Sequence, residues 1–214
     1  MILHRIQPNP SEEPVPVMMG TALSYNDPAG LTLRVPVGGS YRLAVANSAE
    51  RSRLLEMLMD FEPPSNLRLV VLEKEVSSLD LEDARSVRGR IGFVPASGGL
   101  LSHLNAWENM VLPLGYHRPE RLAGAAAQVY GILDQLELDA PSLLAKLPES
   151  MNSHEVKAAC FIAAVLEGPD LMVFEAVASE TVNLDLDHVL KFAKAYALIC
   201  PNGTFLVVEG KLET

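Results

Sequence analysis

"LAVANSAERSRLLEML", Leu43 to Leu58, reads as a strand, a turn of small residues and a helix. The run is apolar up to Val45, turns small and polar, and then repeats Leu54, Leu55, Leu58 and Met59 at helical spacing. Such a strand-to-helix turn is where many α/β proteins cradle a phosphate on backbone N–H groups. The turn from Val45 to Ser52 holds neither glycine nor lysine, so its position and its chemistry point in different directions.

Working outward, "TALSY" (Thr21–Tyr25), "LTLRVPV" (Leu31–Val37) and "YRLAVA" (Tyr41–Ala46) read as strands separated by the turn signals "NDPAG" and "GG". Pro36 marks the second as an edge strand. "NLRLVVLEKEV" (Asn66–Val76) and "GRIGFVPA" (Gly89–Ala96) read as further strands. The middle is helical: "LNAWENMVLPL", a long amphipathic helix over Pro119–Leu138, "PSLLAKL", and Ser153–Gly168. Strand "LMVFEAV" (Leu171–Val177), helix "LDHVLKFAKAYALIC" and strand "GTFLVVEG" (Gly203–Gly210) complete an alternation that implies an α/β fold with a mainly parallel sheet. Met1–Val17, rich in Pro and Glu, reads as a flexible tail ahead of one domain over residues 18–214, with a helical subdomain at about 97–165.

At 214 residues, 49% apolar, the chain can bury a full core. A net charge of -10 without any basic run argues against a nucleic-acid partner. The N-terminus has no apolar signal region, and the longest nearly apolar run, "AACFIAAVL", is too short to span a bilayer. The expectation is a cytoplasmic protein without membrane insertion. Cys160 and Cys200 read as buried free thiols, with a disulfide as the alternative. The five histidines are scattered and no CxxC occurs, so no metal site is expected.

Two stretches resemble the ATP-binding subunit of ABC transporters, whose P-loop NTPase-like fold has an N-terminal antiparallel β part and an inserted helical subdomain. "RIGFVPASGGLLSHLNAWENMVLPLGY" (Arg90–Tyr116) is similar to that family's strand, glutamine loop and first subdomain helix. "LPESMNSHEVKAACFIAAVLEGPDLMVFEAVAS" (Leu147–Ser179) is similar to its signature helix leading into the second acidic strand. The resemblance covers Thr21 to Gly210, and "GLLSHLNAWENMVLPL" is closest to the lipid-trafficking (Mce/Mla-like) branch.

At the functional positions the resemblance breaks down. Where a phosphate loop is expected, Val45, Ser48 and Glu50 stand at the three glycines, Arg51 at the lysine and Ser52 at the magnesium-binding hydroxyl. Glycine gives that loop its backbone angles and close approach. A carboxylate about 4 Å from a phosphate repels it by roughly 1–4 kcal/mol, and a guanidinium does not replace a lysine point charge in a tight loop. The loop glutamine falls at Ala96. The signature falls on Met151, Asn152, Ser153, His154 and Glu155, which alternatively read as a helix start capped by Asn152 and Glu155, with His154 facing solvent. Glu175 stands for the usual aspartate, Ala176 for the catalytic glutamate and Gly210 for the switch histidine. Tyr25 stands where the family stacks adenine, or else simply packs an edge.

Apart from the Ser52 hydroxyl and the positive charge of Arg51, every group the family uses for hydrolysis is thus changed, while the strands and helices are kept. The expectation is a catalytically degenerate homologue with no cofactor. It would dock on a membrane permease or an active ATPase, or pair with itself, peripherally at the inner face of the membrane. Leu104, Trp107 and Met110 are the candidate partner contacts. The alternatives are residual ATP/Mg²⁺ binding or ATPase activity energising transport, and a sensor binding an anion or phosphorylated metabolite at Arg51 and Ser52.

Overall fold

The computed structural model describes residues 1–6, 20–26, 32–177 and 186–210. Two sheets carry it. The larger has five strands, β1 (Ile2–Ile6), β4 (Gly39–Val45), β9 (Thr204–Gly210), β8 (Leu171–Val177) and β7 (Ile91–Val94), in that order across the sheet. Only β1 runs antiparallel; β4, β9, β8 and β7 are parallel. The smaller sheet is antiparallel: β3 (Thr32–Pro36), β2 (Thr21–Asn26), β5 (Arg68–Val71) and β6 (Lys74–Glu75). β3 is an edge of that sheet, as Pro36 requires.

The parallel strands show why they read as continuous apolar runs: both faces are covered. Phe205 and Val207 of β9, with Met172, Phe174 and Ala176 of β8, face one core; Leu206, Val208, Leu171 and Val173 face the other. The first core is closed by helices α3 (Ala106–His117), α4 (Leu122–Gln135), α6 (Ser153–Leu166) and α7 (Leu186–Ile199). Its centre is aromatic. Phe174 and Phe205 lie 5.6 Å apart, Phe161 and Phe192 5.1 Å, and the buried Tyr196 donates its hydroxyl to Pro169 O at 2.7 Å. The second core packs α1 (Ser48–Asp60) and the antiparallel sheet on the other face.

Several boundaries differ from the sequence reading. Ile2–Ile6, expected in the flexible tail, pair with β4 from Ile2↔Ala44 to Ile6↔Ser40; the rest of that tail lies outside the described residues. Most of the "NDPAG" turn also lies outside them. Helix α2 (Leu81–Arg88) was not anticipated, although Asp80 caps it by accepting from Asp83 N. The long helix at Pro119 opens with a 3₁₀ turn over Pro119–Arg121 before α4 begins. A five-residue helix, α5 (Ala140–Leu144), precedes the signature region.

The expected strand Asn66–Val76 is a hairpin. Leu72 (φ 48) and Glu73 (φ 66) form its two-residue turn, both in the left-handed region that glycine or asparagine normally supplies. With neither present, nothing in the sequence announced a reversal. Glu73 is exposed and carries this backbone cost without a burial gain. Glu73→Gly is therefore expected to raise stability by roughly 1 kcal/mol, read from the urea midpoint.

Candidate functional site

Val45–Ser52, Ala96, Glu175, Ala176 and Gly210 lie together at the carboxyl ends of β4, β9, β8 and β7, the edge where open α/β sheets place their ligands. Val45 ends β4 and is 1% exposed. Only Ala46 and Asn47 separate it from α1, whose first residue is Ser48. The eight positions where the resemblance implies a phosphate loop are thus the end of a strand, a two-residue link and the opening of a helix. Asn47 adopts an extended N-cap conformation and accepts from Glu50 N at 2.8 Å; its carbonyl accepts from Arg51 N at 3.2 Å. Glu50 turns back, and its carboxylate accepts from Ala46 N at 2.7 Å. Cap and carboxylate together satisfy donors that a phosphate loop leaves for its ligand. Without glycine to widen the turn, capping by its own residues is the local solution.

One helical turn into α1, Arg51 faces β8. Its Nε lies 3.0 Å from Glu175 Oε1, with both side chains about 85% buried. The contact is an ion pair without hydrogen-bond alignment at Nε. The second carboxylate oxygen of Glu175 accepts from Ala96 N at 2.9 Å, at the position expected to be the loop glutamine. Gly210 pairs with Val45 and with Val177, closing the same edge. A Cβ built on Gly210 would lie 3.1 Å from Arg51 Nη1 and 3.4 Å from the Asn47 carbonyl. A side chain there would have to displace the guanidinium. Arg51, Glu175, Ala96 and Gly210 therefore form one closed cluster. Ser48 and Ser52 lie exposed on α1, and Ala176, at the catalytic-glutamate position, is buried among core residues.

The sequence reading missed Lys157, although a lysine inside "VKAACFIAAVL" was the available signal. It is 5% exposed, and its ammonium donates to Pro95 O at 2.5 Å and Glu175 O at 2.6 Å. It also stands 4.8 Å over the Phe174 ring. Burial pulls its pKa down to about 8, against the opposing pull of Glu175. Lys157 thereby ties α6 to the ends of β7 and β8. Cys160, one turn further on, donates to Gly98 O at 3.3 Å, and burial pushes its thiol up to about 11. Both cysteines are free.

The signature positions lie at the start of α6. Asn152 and Glu155 form the expected reciprocal cap, both bonds at 2.9 Å, and Glu155 also pairs with Lys146 at 2.7 Å. Burial alone would raise the Glu155 pKa; Lys146 and the Asn152 N–H hold it below the ordinary value instead. Asn152 and Ser153 are exposed and Met151 is half-buried. His154 does not face solvent as expected. It is half-buried, its ring 5.0 Å from His188 and 5.9 Å from Phe192, because the first turn of α6 lies against α7.

Tyr25, the expected adenine platform, is 5% exposed and belongs to the second core; one side of it borders a shallow cleft of about 300 Å³ with Ala49, Glu50 and Arg53. Of the three candidate partner contacts, Met110 is fully buried in the first core and so is corrected to a packing residue. Leu104 and Trp107 are half-buried. The buried Asn109 fixes the preceding turn, donating to Leu101 O and Leu104 O and accepting from Leu101 N at 2.7 Å. Among the described residues no helix is long and apolar enough to cross a membrane.

These residues do not fit Mg²⁺ and a nucleotide triphosphate. The candidate lysine position is neutralised by a carboxylate, the turn has no glycine cradle, and Glu50 occupies an amide at its mouth.

No family model matches the chain. Among curated proteins, it is similar to the Fe(3+) ions import ATP-binding protein FbpC of Pseudomonas fluorescens, 27% identical over 146 residues, which is 68% of this chain and 39% of that one. It is likewise similar to the methionine import ATP-binding protein MetN of Xanthomonas oryzae pv. oryzae, 26% identical over 155 residues, 70% of this chain and 44% of that one. The chain thus spans less than half the length of these relatives. Among solved structures, an ATP-binding subunit of an ABC transporter superposes with TM-score 0.67 at 15% identity, over 90% of this chain and 80% of that one. CbiO1 from Clostridium perfringens, part of the ABC transporter complex cbiONQ, gives 0.66 at 14% identity, over 89% and 79%. The chain is thus similar in sequence to import ATP-binding proteins and shares its fold with ATP-binding subunits of ABC transporters.

Proposed function

We propose that this chain is a non-hydrolysing member of that family, acting as a structural or regulatory partner of a transport permease or of an active ATP-binding subunit. The observation that carries the reading is the Arg51–Glu175 pair at the end of β8, with the Glu175 carboxylate also accepting from Ala96 N. A loop cation meant for phosphate should face the ligand space; this one is held by a carboxylate of its own chain. Glu50 and Asn47 supply the same kind of internal partner to the turn. The relatives are import ATP-binding proteins, which supports a place in an import system. That place would be cytoplasmic and peripheral to the membrane. Within the family only Gly99–Leu114 favours the lipid-trafficking branch.

A titration with a fluorescent ATP analogue, with and without Mg²⁺, tests the proposal. No saturation up to millimolar nucleotide is expected. Saturable binding that Arg51→Ala abolishes would replace this reading with a nucleotide-binding one.

The partner arrangement has its own consequence. ABC-type dimers build each site from one subunit's phosphate loop and the other's signature. A heterodimer containing this chain would therefore lack Val45–Ser52 chemistry in one site and Met151–Glu155 chemistry in the other. Its expected ATP turnover does not exceed that of the active partner's own homodimer control. A composite site turning over above that control would sink the arrangement. The docking region proposed is the helical stretch 97–165, where Asn109 holds the Leu101–Asn105 turn rigid beside the half-buried Leu104 and Trp107.

A further inference from the structure

His154 and His188 are 34 positions apart and read as unrelated in the sequence, yet the fold sets their rings edge to face at 5.0 Å. His154 is the second residue of α6 and His188 the third of α7. Behind them Phe192 stacks at 5.9 Å on His154 and at 5.1 and 5.0 Å on Phe161 and Phe174. The histidine pair is therefore the outer end of the aromatic core. His154 Nε2 is buried and has no hydrogen-bond partner among the described residues.

The charges around His154 are unbalanced. From α7 it meets His188 and Lys191; from its own helix it meets Glu155. Glu155 is already committed to Lys146 at 2.7 Å and to Asn152 N at 2.9 Å. Lys191 is paired with Glu137, beyond the end of α4, at 2.5 Å. A proton on His154 would put a half-buried cation beside a second imidazole and a lysine, with no uncommitted carboxylate among these groups to receive it.

We propose that the His154–His188 contact is an acid-released latch, holding the first turn of α6 against α7 while the His154 ring is neutral and freeing it when His154 takes up a proton. The proposal is independent of whether the chain binds nucleotide. Burial, with His188 and Lys191 adding to it, holds the His154 pKa below the ordinary histidine value. A base with a lowered pKa in the folded state contributes its full stability above the unfolded value, about 6.5. That contribution is lost as pH falls from there toward the depressed value. The element released is the turn Ser153–Val156, so acid would alter the surface at the signature position without disturbing the Arg51–Glu175 cluster.

Hydrogen exchange on the full chain tests this, following the Glu155 and Val156 amides, which are bonded to Asn152 Oδ1 and Asn152 O. After correction for intrinsic rates, their protection is expected to fall on going from about pH 7.5 to 5, by about tenfold for each unit separating the folded and unfolded pKa values. His154→Phe keeps the ring contacts and removes the titration, so its protection should stay level. Protection in the wild type that does not change, or a fall that persists in His154→Phe, overturns the latch. Imidazole NMR of the wild type provides a reading that does not depend on the variant folding. A His154 midpoint below the ordinary histidine range is expected, and one at or above it overturns the proposal.

Discussion

Arg51→Ala is expected to cost stability while leaving nucleotide affinity unchanged. In a phosphate loop the cation at this position serves the ligand, and its removal shows as lost binding. Here its partner is Glu175, 3.0 Å away and about 85% buried. Taking away the guanidinium leaves that carboxylate accepting from Ala96 N alone among the described residues. Removing one member of a fully buried pair costs about 3–5 kcal/mol; with both groups partly exposed, roughly 2 kcal/mol is the appropriate expectation. Urea denaturation reads it directly. Glu175→Gln in the Arg51→Ala background removes the stranded charge and keeps an oxygen for Ala96 N, so it should recover much of the loss. The four proteins form a double-mutant cycle whose coupling isolates the pair. A stable Arg51→Ala protein that has lost a measurable affinity for ATP or phosphate would show that Arg51 is a ligand group after all.

The fold was legible in the sequence because its strongest signals are long and physical. β8 coincides with the expected Leu171–Val177, and β9 differs from its expected range by one residue, since a strand covered on both faces needs an unbroken apolar run. The cap of α6 was legible because Asn152 and Glu155 have the spacing that reciprocal capping demands. What could not be read depends on partners distant in the chain. That Val45–Ser52 holds no glycine was legible, but not that α1 would begin at Ser48 and aim Arg51 at a residue 124 positions away. The His154 environment depends on α7, and the burial of Met110 on the packing of α3 against α6. The hairpin at Leu72–Glu73 was hidden for a different reason: its residue types disfavour the conformation they adopt.

Lys157→Met should remove a rise in stability that the wild type shows in alkaline solution. The ammonium is 5% exposed and its pKa is about 8 in the folded protein, against about 10.4 for a free lysine. Between those values the unfolded chain binds more protons than the folded one, so this residue's contribution makes folding more favourable as pH rises. Integrated over the window, the difference between wild type and variant should grow by about 3 kcal/mol in favour of the wild type. The comparison has to be a difference, because burial raises the pKa values of Cys160 and Cys200 to about 11. Each thiol that stays protonated in the fold opposes the lysine above about pH 9; Cys200 does so in both proteins, whereas Cys160 loses in the variant the downward pull of the Lys157 ammonium and opposes there somewhat more. At neutral pH two effects oppose each other. Methionine removes the cost of a buried charge but leaves Pro95 O and Glu175 O without the donor they have now. The slope against pH is therefore the decisive reading. Parallel pH profiles for the two proteins would mean that Lys157 keeps an ordinary pKa in the fold. In that case its ammonium would not be the buried link between α6 and the ends of β7 and β8.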